Sequence, residues 1–443
     1  MARAPQVLKG MRDFLPEQML LRQHVLSTFR GVFERYGFEP IETPVIEYLE
    51  TLTGKYGEDE KLIYSFQDRG ERNVGLRYDL TVPLARFVAN HRNDLTFPFK
   101  RYHIAPVFRA DRPQRGRYRE FWQCDADIVG TKSMMADAEV VSVWIDALSA
   151  INMPGFVVHI NHRKLLMSLA EVAGVPDDQT PTIHRAIDKL AKIGEDGVLK
   201  EMQSNGIPED AARRVLDLVS ITGEPGEVFD ELARRLAGNS MAEEGISEMR
   251  SLFDFLDKMG ADSSHYTLDL TLARGLDYYT GPVFEAMSVD ANIGSLGGAG
   301  RYDGLVGMFS GEDLPATGCS LGLERIFDVI QEKNLVAAPS TVSKVLVTVF
   351  NADTIGESLA LVGELRRAGI ESDIYSGEKF DLRRQLQYAN RKGIPRTLIL
   401  GPDEVQNGQV IVREMSTGDQ QTVDRANVAE AIHSALKADR AAD

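Results

Sequence analysis

Five arginines fall within eleven residues, Arg109, Arg112, Arg115, Arg117 and Arg119, with Asp111 the single acid among them, for a local charge of +4. Guanidinium groups packed this densely repel one another unless an anion neutralises them, and their planar forks match phosphate oxygens. Phe121 follows and offers a face on which a purine could stack. The same residues also suit a solvated loop with cross-strand pairs to Asp111 and Glu120, and the cluster alone does not separate the two readings. No G-x-x-x-x-G-K-[ST] occurs, and no G-x-G-x-x-G opens a helix after a strand. The glycine-rich run GSLGGAGRYDGLVG fits neither pattern. There is no C-x-x-C and no G-x-S-x-G. His159 and His162 lie three apart at a strand end, where a surface role is favoured over metal ligation.

These residues need rigid elements to hold them. From 97 to 130 the pattern alternates. Arg101, His103, Ala105, Val107 and Arg109 share one strand face, and Tyr102, Ile104, Pro106 and Phe108 the other. A turn from Pro113 to Gly116 leads into a return strand, YREFWQCDADIVG, which makes an antiparallel hairpin. Leu21, Val25, Phe29, Val32 and Tyr36 recur at helical spacing over 17–36, with Pro16 at a first helical position and Gly37 as the stop. FEPIETPVIEY is extended and carries Pro40 and Pro44, as an edge strand or chain crossing would. Residues 134–150 read as a helix. Residues 163–260 are helix formers broken near 174–176, 205–208 and 223–226, an all-helical insertion. Strands are expected at 266–272, 282–289 and 292–296, and helices near 301–309 and over 321–334. After a small, polar stretch at 335–343, strand–helix alternation predicts a mainly parallel sheet with a final helix near 424–438. The fold class is α/β: an α+β catalytic domain on an antiparallel sheet, a helical insertion and a C-terminal α/β domain.

The chain has 443 residues and a mass of 49.1 kDa, enough for about three domains. Its 43% hydrophobic and 26% charged residues are those of an ordinary globular protein, not a disordered one. No apolar run reaches the roughly 20 residues that span a bilayer, so no membrane partner is expected. The N-terminus lacks a signal-peptide stretch. Cys124 and Cys319 are the only cysteines, which disfavours a disulfide framework and points to the cytoplasm. The net charge of −16 excludes a uniformly basic nucleic-acid coat. Residues 163–262 carry a local −8 and residues 341–443 a local −2, so any polyanion must be met at local sites.

The motifs together resemble one family. KRYHIAPVFRADRPQRGRYREFWQCDADIVG resembles motif 2 of the class II aminoacyl-tRNA synthetases in its histidyl form. LARGLDYYTGPVFE (272–285) and GAGRYDGLVGMF (298–309) are similar to histidine-specific motifs of that family. GCSLGLERI (318–326) is similar to motif 3, segment 37–48 to motif 1, and LRYDLTVPLARF (76–87) to the amino-acid-binding segment. KGMRDFLP (9–16) matches the family's usual opening. The resemblance covers essentially the whole chain. It implies a catalytic domain over 1–162 and 263–334, a helical insertion over 163–262, a linker over 335–343 and an anticodon-binding α/β domain over 344–443.

It also implies a reaction and its residues. Histidine and ATP would give histidyl-adenylate and pyrophosphate, and the histidine would then pass to tRNA(His). Arg109 and Arg274 would be the two catalytic cations around the α-phosphate. Arg325 would hold the γ-phosphate, with Asp111, Arg117 and Phe121 completing the ATP site, and Mg²⁺ bridging phosphate oxygens without a dedicated protein metal site. Histidine would be held by Asp79, Leu80, Thr81, Arg109, Gln123, Asp127, Arg274, Tyr278 and Tyr279. Because Tyr278 and Tyr279 are adjacent, a strand would let only one of them reach the ligand. Arg112, Gln114 and Arg115 would meet the tRNA acceptor end. Arg383 and Arg391, with Arg384, Lys392 and Arg396 nearby, would meet the anticodon arm, although an ordinary solvated helix face has the same composition. Motif 1 implies a homodimer.

Departures from the family pattern are Ala299 where many relatives have glycine, Trp122 within motif 2, and YDLT in the amino-acid segment. Ala299 would be costly if its position needs positive φ. The alternative activity is that of a catalytically inactive paralogue serving as a regulatory subunit in histidine biosynthesis. Such paralogues usually lack the C-terminal domain and the arginines, which are all present here.

Overall fold

The computed structural model describes residues 5–176, 179–273, 278–289, 294–336 and 339–442. Arg274, expected as a catalytic cation, lies outside the described residues. Two compact units result, the larger of residues 5–13 and 25–336 and the smaller of residues 14–24 and 339–442.

The larger unit is organised by an eight-stranded sheet. Its spatial order is Glu39–Pro40, Phe99–Phe108, Glu120–Val129, Ala316–Gly322, Ser295–Arg301, Pro282–Ser288, Phe156–His162 and Tyr266–Leu268. The interior pairs are antiparallel, and only the two short edge strands join in parallel. The hairpin predicted from alternation is present as two ten-residue strands, with Arg101 opposite Asp127 and His103 opposite Asp125. Pro40 occupies an edge strand, where its missing N–H costs no ladder bond.

One side of this sheet is sealed by the helix Met134–Ala150. Its Ser133 N-cap accepts from the Met135 amide, and its Val140, Val141, Trp144 and Leu148 are fully buried. The helix Leu323–Lys333 grows directly out of the strand Ala316–Gly322. It buries Leu323, Ile326, Phe327 and Ile330 at helical spacing and ends at Asn334 in the left-handed region. Between 163 and 258 the chain is helical, with the helices Arg163–Val172, Thr180–Ile187, Leu190–Ser204, Glu209–Val219, Pro225–Arg235 and Ser240–Lys258. Two sequence expectations need correction here. The helix expected near 301–309 is a single turn, Gly307–Ser310, because residues up to Arg301 are drawn into the sheet. The strand expected over 266–272 covers Tyr266–Leu268 only, since Asp269 turns the chain by accepting from the Thr271 amide and hydroxyl.

The smaller unit holds a five-stranded sheet in the order Ser372–Ile374, Val345–Val347, Arg396–Ile399, Gln409–Glu414 and Gln420–Asp424. The first three strands are parallel and the last two antiparallel. The final strand was not expected. Its residues, QQTVD, are polar and largely exposed, so no apolar alternation marks them. Val345, Val347, Leu361, Leu365, Leu398, Val410 and Ile432 form the core of this unit.

Candidate active site

The hairpin strands carry the site on one face. A cavity of about 310 Å³ opens there, lined by Asp79, Thr81, Arg109, Asp111, Arg117, Phe121, Gln123, Tyr278, Tyr279 and Arg325 among others. Residues expected from separate motifs therefore meet in one place.

Arg109 stands at the hairpin mouth. Its backbone amide donates to the Arg119 carbonyl (2.9 Å), and its Nε donates to the Tyr78 carbonyl (3.1 Å). The guanidinium lies over the Tyr78 ring, 4.1 Å from its centroid, and 5.1 Å from that of Phe121. Ring faces attract the cation without neutralising it. Among the described residues no carboxylate forms an ion pair with Arg109, so its charge remains available to an anionic ligand.

Asp79 sits at the start of the helix Thr81–His91 and is 1% exposed. Its Oδ1 accepts from the Tyr56 hydroxyl (2.9 Å) and the Val82 amide (3.0 Å), while Oδ2 has no partner among the described residues. Burial pushes its pKa up, against the pull of the Val82 amide and Arg109. Gln123 donates from Nε2 to Ser320 Oγ at 2.7 Å, and its Oε1 is likewise without a partner. Two buried acceptors thus face one cavity with no donor of their own, an arrangement that suits an incoming ammonium.

Tyr278 and Tyr279 both line the cavity, contrary to the expectation that only one would reach it. They precede the strand Pro282–Ser288 and are not part of it, so strand alternation does not govern them. Their ring centroids are 5.0 Å apart at 66°. Burial raises the pKa of each hydroxyl, which keeps both neutral donors. Gly300 makes room for the pair, since a Cβ there would stand 2.8 Å from the Tyr279 ring. Ala299 occupies a regular ladder position opposite Phe284 and Cys319 and is not among the positive-φ residues. Alanine at this departure from the family pattern therefore carries no conformational cost.

Asp127 and Leu80 do not reach the cavity wall. Asp127 lies beneath it, accepting from the Tyr302 hydroxyl and facing the Arg101 guanidinium at 2.6 Å. Gly318 across the ladder leaves it space, for a Cβ there would overlap the carboxylate. Burial raises the Asp127 pKa and Arg101 opposes the shift. Leu80 packs with Ala105, Val107 and Phe121, so it shapes the floor beneath the pocket.

The outer wall is basic. Arg117 Nε lies 3.4 Å from the Asp111 carboxylate, and Arg325 Nε donates to the Gly116 carbonyl at 3.0 Å, which ties the hairpin turn to the helix Leu323–Lys333. Arg112 and Gln114 are exposed at the turn, and Arg115 pairs with Glu332. Three contributors were not singled out from the sequence. Ser320 anchors Gln123. Glu324 accepts from the Trp122 amide at 3.2 Å and from Arg12. Arg12 stacks on Tyr118 at 3.5 Å, so the N-terminal KGMRDFLP segment clamps the hairpin loop. Strand alternation across 316–322 was the available signal for Ser320, whereas nothing local announces the 312-residue span from Arg12 to Glu324.

The family model for histidyl-tRNA synthetase matches residues 10–326, and that for an anticodon-binding domain matches residues 344–435. The chain belongs to the histidyl-tRNA synthetase family. A histidine–tRNA ligase of Aeropyrum pernix is 43% identical over 98% of this chain and 98% of its own. One from Cytophaga hutchinsonii is 42% identical over 94% of this chain and 96% of its own. The crystal structure of a histidyl-tRNA synthetase from a Nostoc species superposes with a TM-score of 0.87 at 33% identity, covering 98% of this chain and all of that one. In the anticodon-binding domain of this synthetase-family chain, Arg383, Arg384 and Arg391 project exposed from the helix Leu382–Lys392. Lys392 is held by Asp373 at 2.7 Å. Arg396 departs from the expectation of a tRNA contact. It is buried on the sheet and paired with Asp439 and Glu414, so its charge is already matched.

Proposed function

We propose that the protein activates L-histidine with ATP, releasing pyrophosphate, and transfers the histidine to tRNA(His). The observation that carries this reading is the pairing of unpartnered acceptors, Asp79 Oδ2 and Gln123 Oε1, with the uncompensated cation Arg109 in one cavity. The acceptors suit an α-ammonium and the cation suits a carboxylate or phosphate. The histidine carboxylate then attacks the α-phosphorus. The new C–O–P bond forms as the bond to pyrophosphate breaks, and the attacking oxygen already carries the charge it needs. Catalysis is thus a matter of alignment and of cations that bear charge shifting onto phosphate oxygens. Arg109 serves as one such cation and, by the family resemblance, Arg274 as a second, while Arg325 and Arg117 receive the outer phosphates and Phe121 stacks the adenine.

Tyr278 and Tyr279 supply hydrogen-bonding groups near the imidazole, with Asp127 in the layer beneath them, and a site built this way rejects side chains that cannot satisfy it. Mg²⁺ fits as a companion of ATP. Among the described residues no three metal-ligating side chains cluster, and this ion keeps phosphate and water ligands in preference to a protein cage. Asp79, Asp111, Glu285 and Glu324 are the carboxylates that line the cavity.

Arg112, Gln114 and Arg115 would then meet the acceptor end of tRNA, and Arg383 and Arg391 the anticodon arm. The three-stranded sheet of Ile46–Tyr48, Ser65–Gln67 and Asn73–Leu76 leaves Ile46, Tyr48 and Phe66 exposed, an apolar face that supports a motif 1 homodimer. Among the described residues no helix is long and apolar enough to cross a membrane, and a cytoplasmic site of action accords with this reading. The test is charging of a tRNA(His) transcript with labelled histidine, ATP and Mg²⁺. Charging by histidine alone among the amino acids supports the proposal, and charging with another amino acid refutes it.

A further inference from the structure

Beneath the proposed histidine pocket lies a carboxylate that the adenylation chemistry does not use. Asp125 is 1% exposed and shares its sheet face with Gln123 and Asp127. Burying a carboxylate beside a second one is costly, and a neutral side chain of similar size would fill the same space without that cost. Its position in the ladder suggests what the group does. Asp125 is the direct cross-strand partner of Ser320, and Ser320 lines the cavity beside Gln123. Gln123 Nε2 donates to Ser320 Oγ at 2.7 Å. A serine hydroxyl that accepts in this way has one hydrogen left to give. The Asp125 carboxyl, opposite Ser320 on the neighbouring strand, is the group placed to take it.

The geometry points to Asp125 and Ser320 as positioning residues that fix the polarity of the Gln123 amide, so that Oε1 and not Nε2 faces the substrate's α-ammonium. This rests on the histidine-activating reading above. An amide side chain fits either way round by shape, and only its partners decide which end points where. With Asp125 accepting, Ser320 must accept from Gln123, and the amide is held with its oxygen toward the cavity. If Ser320 received a hydrogen bond in place of giving one, its hydroxyl would turn to donate to Oε1. Nε2 would then face the ammonium, donor against donor. The unpartnered state of Gln123 Oε1 is what the first arrangement predicts.

The test uses the full-length protein in pyrophosphate exchange, with competition by 3-(imidazol-4-yl)propionate, which is histidine without its amino group. Ser320→Ala should raise the KM for histidine about tenfold, the worth of one hydrogen bond, with kcat and the KM for ATP little changed. Affinity for the desamino analogue should stay as it is, so the preference for histidine over that analogue falls by the same factor. Asp125→Asn, whose amide can donate to Ser320, should lose more of this preference than Ser320→Ala. Ser320→Thr keeps the hydroxyl and suits a strand, and should restore the preference. An unchanged preference in Ser320→Ala would overturn the inference, as would equal loss in Ser320→Thr, which marks a packing role. Absence of histidine-dependent exchange in the unaltered protein would instead remove the functional reading on which it depends.

Discussion

The two units treat buried polarity in opposite ways. In the smaller unit the buried polar side chains are spent on structure. Gln385 donates to the Val349 carbonyl and accepts from the Val349 amide, Ser358 donates to the Thr348 carbonyl, Thr348 donates to the Leu398 carbonyl, and Arg396 is forked by Asp439. Arg413 Nε is the one buried side-chain atom there without a partner among the described residues. The face of the larger sheet differs. Asp79, Arg101, His103, Gln123, Asp125 and Asp127 are all buried, and each retains at least one atom without a hydrogen bond. Unmet hydrogen-bonding capacity is expensive in a folded chain, and where it opens on the cavity, at Asp79 and Gln123, it marks where a ligand supplies the missing partners. The smaller unit keeps Arg383 and Arg391, its proposed tRNA contacts, in water on a helix face. That suits a large polyanion met by surface charge and not a small ligand met by enclosure.

This contrast can be broken in several places. The largest effect should come from Arg109→Ala, which removes the cation proposed to face the reacting phosphate. A fall of roughly 10²–10³ in the rate of adenylate formation is expected, read by single-turnover assay, with the circular dichroism spectrum unaltered. Arg274→Ala should be similarly severe. Asp79→Asn comes next. It keeps the shape and removes the charge opposite the ammonium, and kcat/KM for histidine should fall about 10–100-fold, far more than kcat/KM for ATP. The joint replacement of Arg383 and Arg391 by alanine should raise the KM for tRNA about tenfold and make its salt dependence shallower, since two phosphate contacts are lost. The KM for histidine in the same protein should not follow it.

A stability measurement sharpens the contrast further. Gln385→Leu strands a buried amide and a buried carbonyl of Val349, and should destabilise the smaller unit by about 1–3 kcal/mol in urea unfolding. On the larger sheet, burial together with Arg101 and Arg77 drives the His103 pKa down to about 3. The unfolded chain takes up this proton near pH 6.5 and the native chain does not. Stability should therefore fall as the pH drops below about 6.5, by roughly 2 kcal/mol at pH 5 from this group. His103→Gln should flatten that part of the profile, and an unchanged slope would contradict the neutral, buried imidazole.

Much of this was legible before any coordinates. The hairpin declared itself through alternation over 99–108 and 120–129 and a proline–glycine turn, because strand period and turn chemistry are local properties. The convergence of Asp79, Arg109, Gln123 and the two tyrosines followed from the motifs. The wall behind them was less visible. Gln123 and Ser320 are 197 residues apart and meet only because the strand Ala316–Gly322 inserts beside Glu120–Val129, a pairing that no local pattern dictates. Arg396 misled for the same reason. Its charge looked available in sequence, and its carboxylate partner lies 43 residues on. The tyrosine pair misled through an assumed strand that begins only at Pro282.

The most direct test of the account is ATP–pyrophosphate exchange by the purified protein with Mg²⁺, supplied in turn with each amino acid. Exchange that depends on histidine alone is the predicted result, because on this account the open acceptors and the arginine take the groups that all amino acids share, while Tyr278 and Tyr279 select the imidazole. Folded protein that binds histidine yet exchanges no pyrophosphate would contradict it and would favour a regulatory paralogue on the same fold.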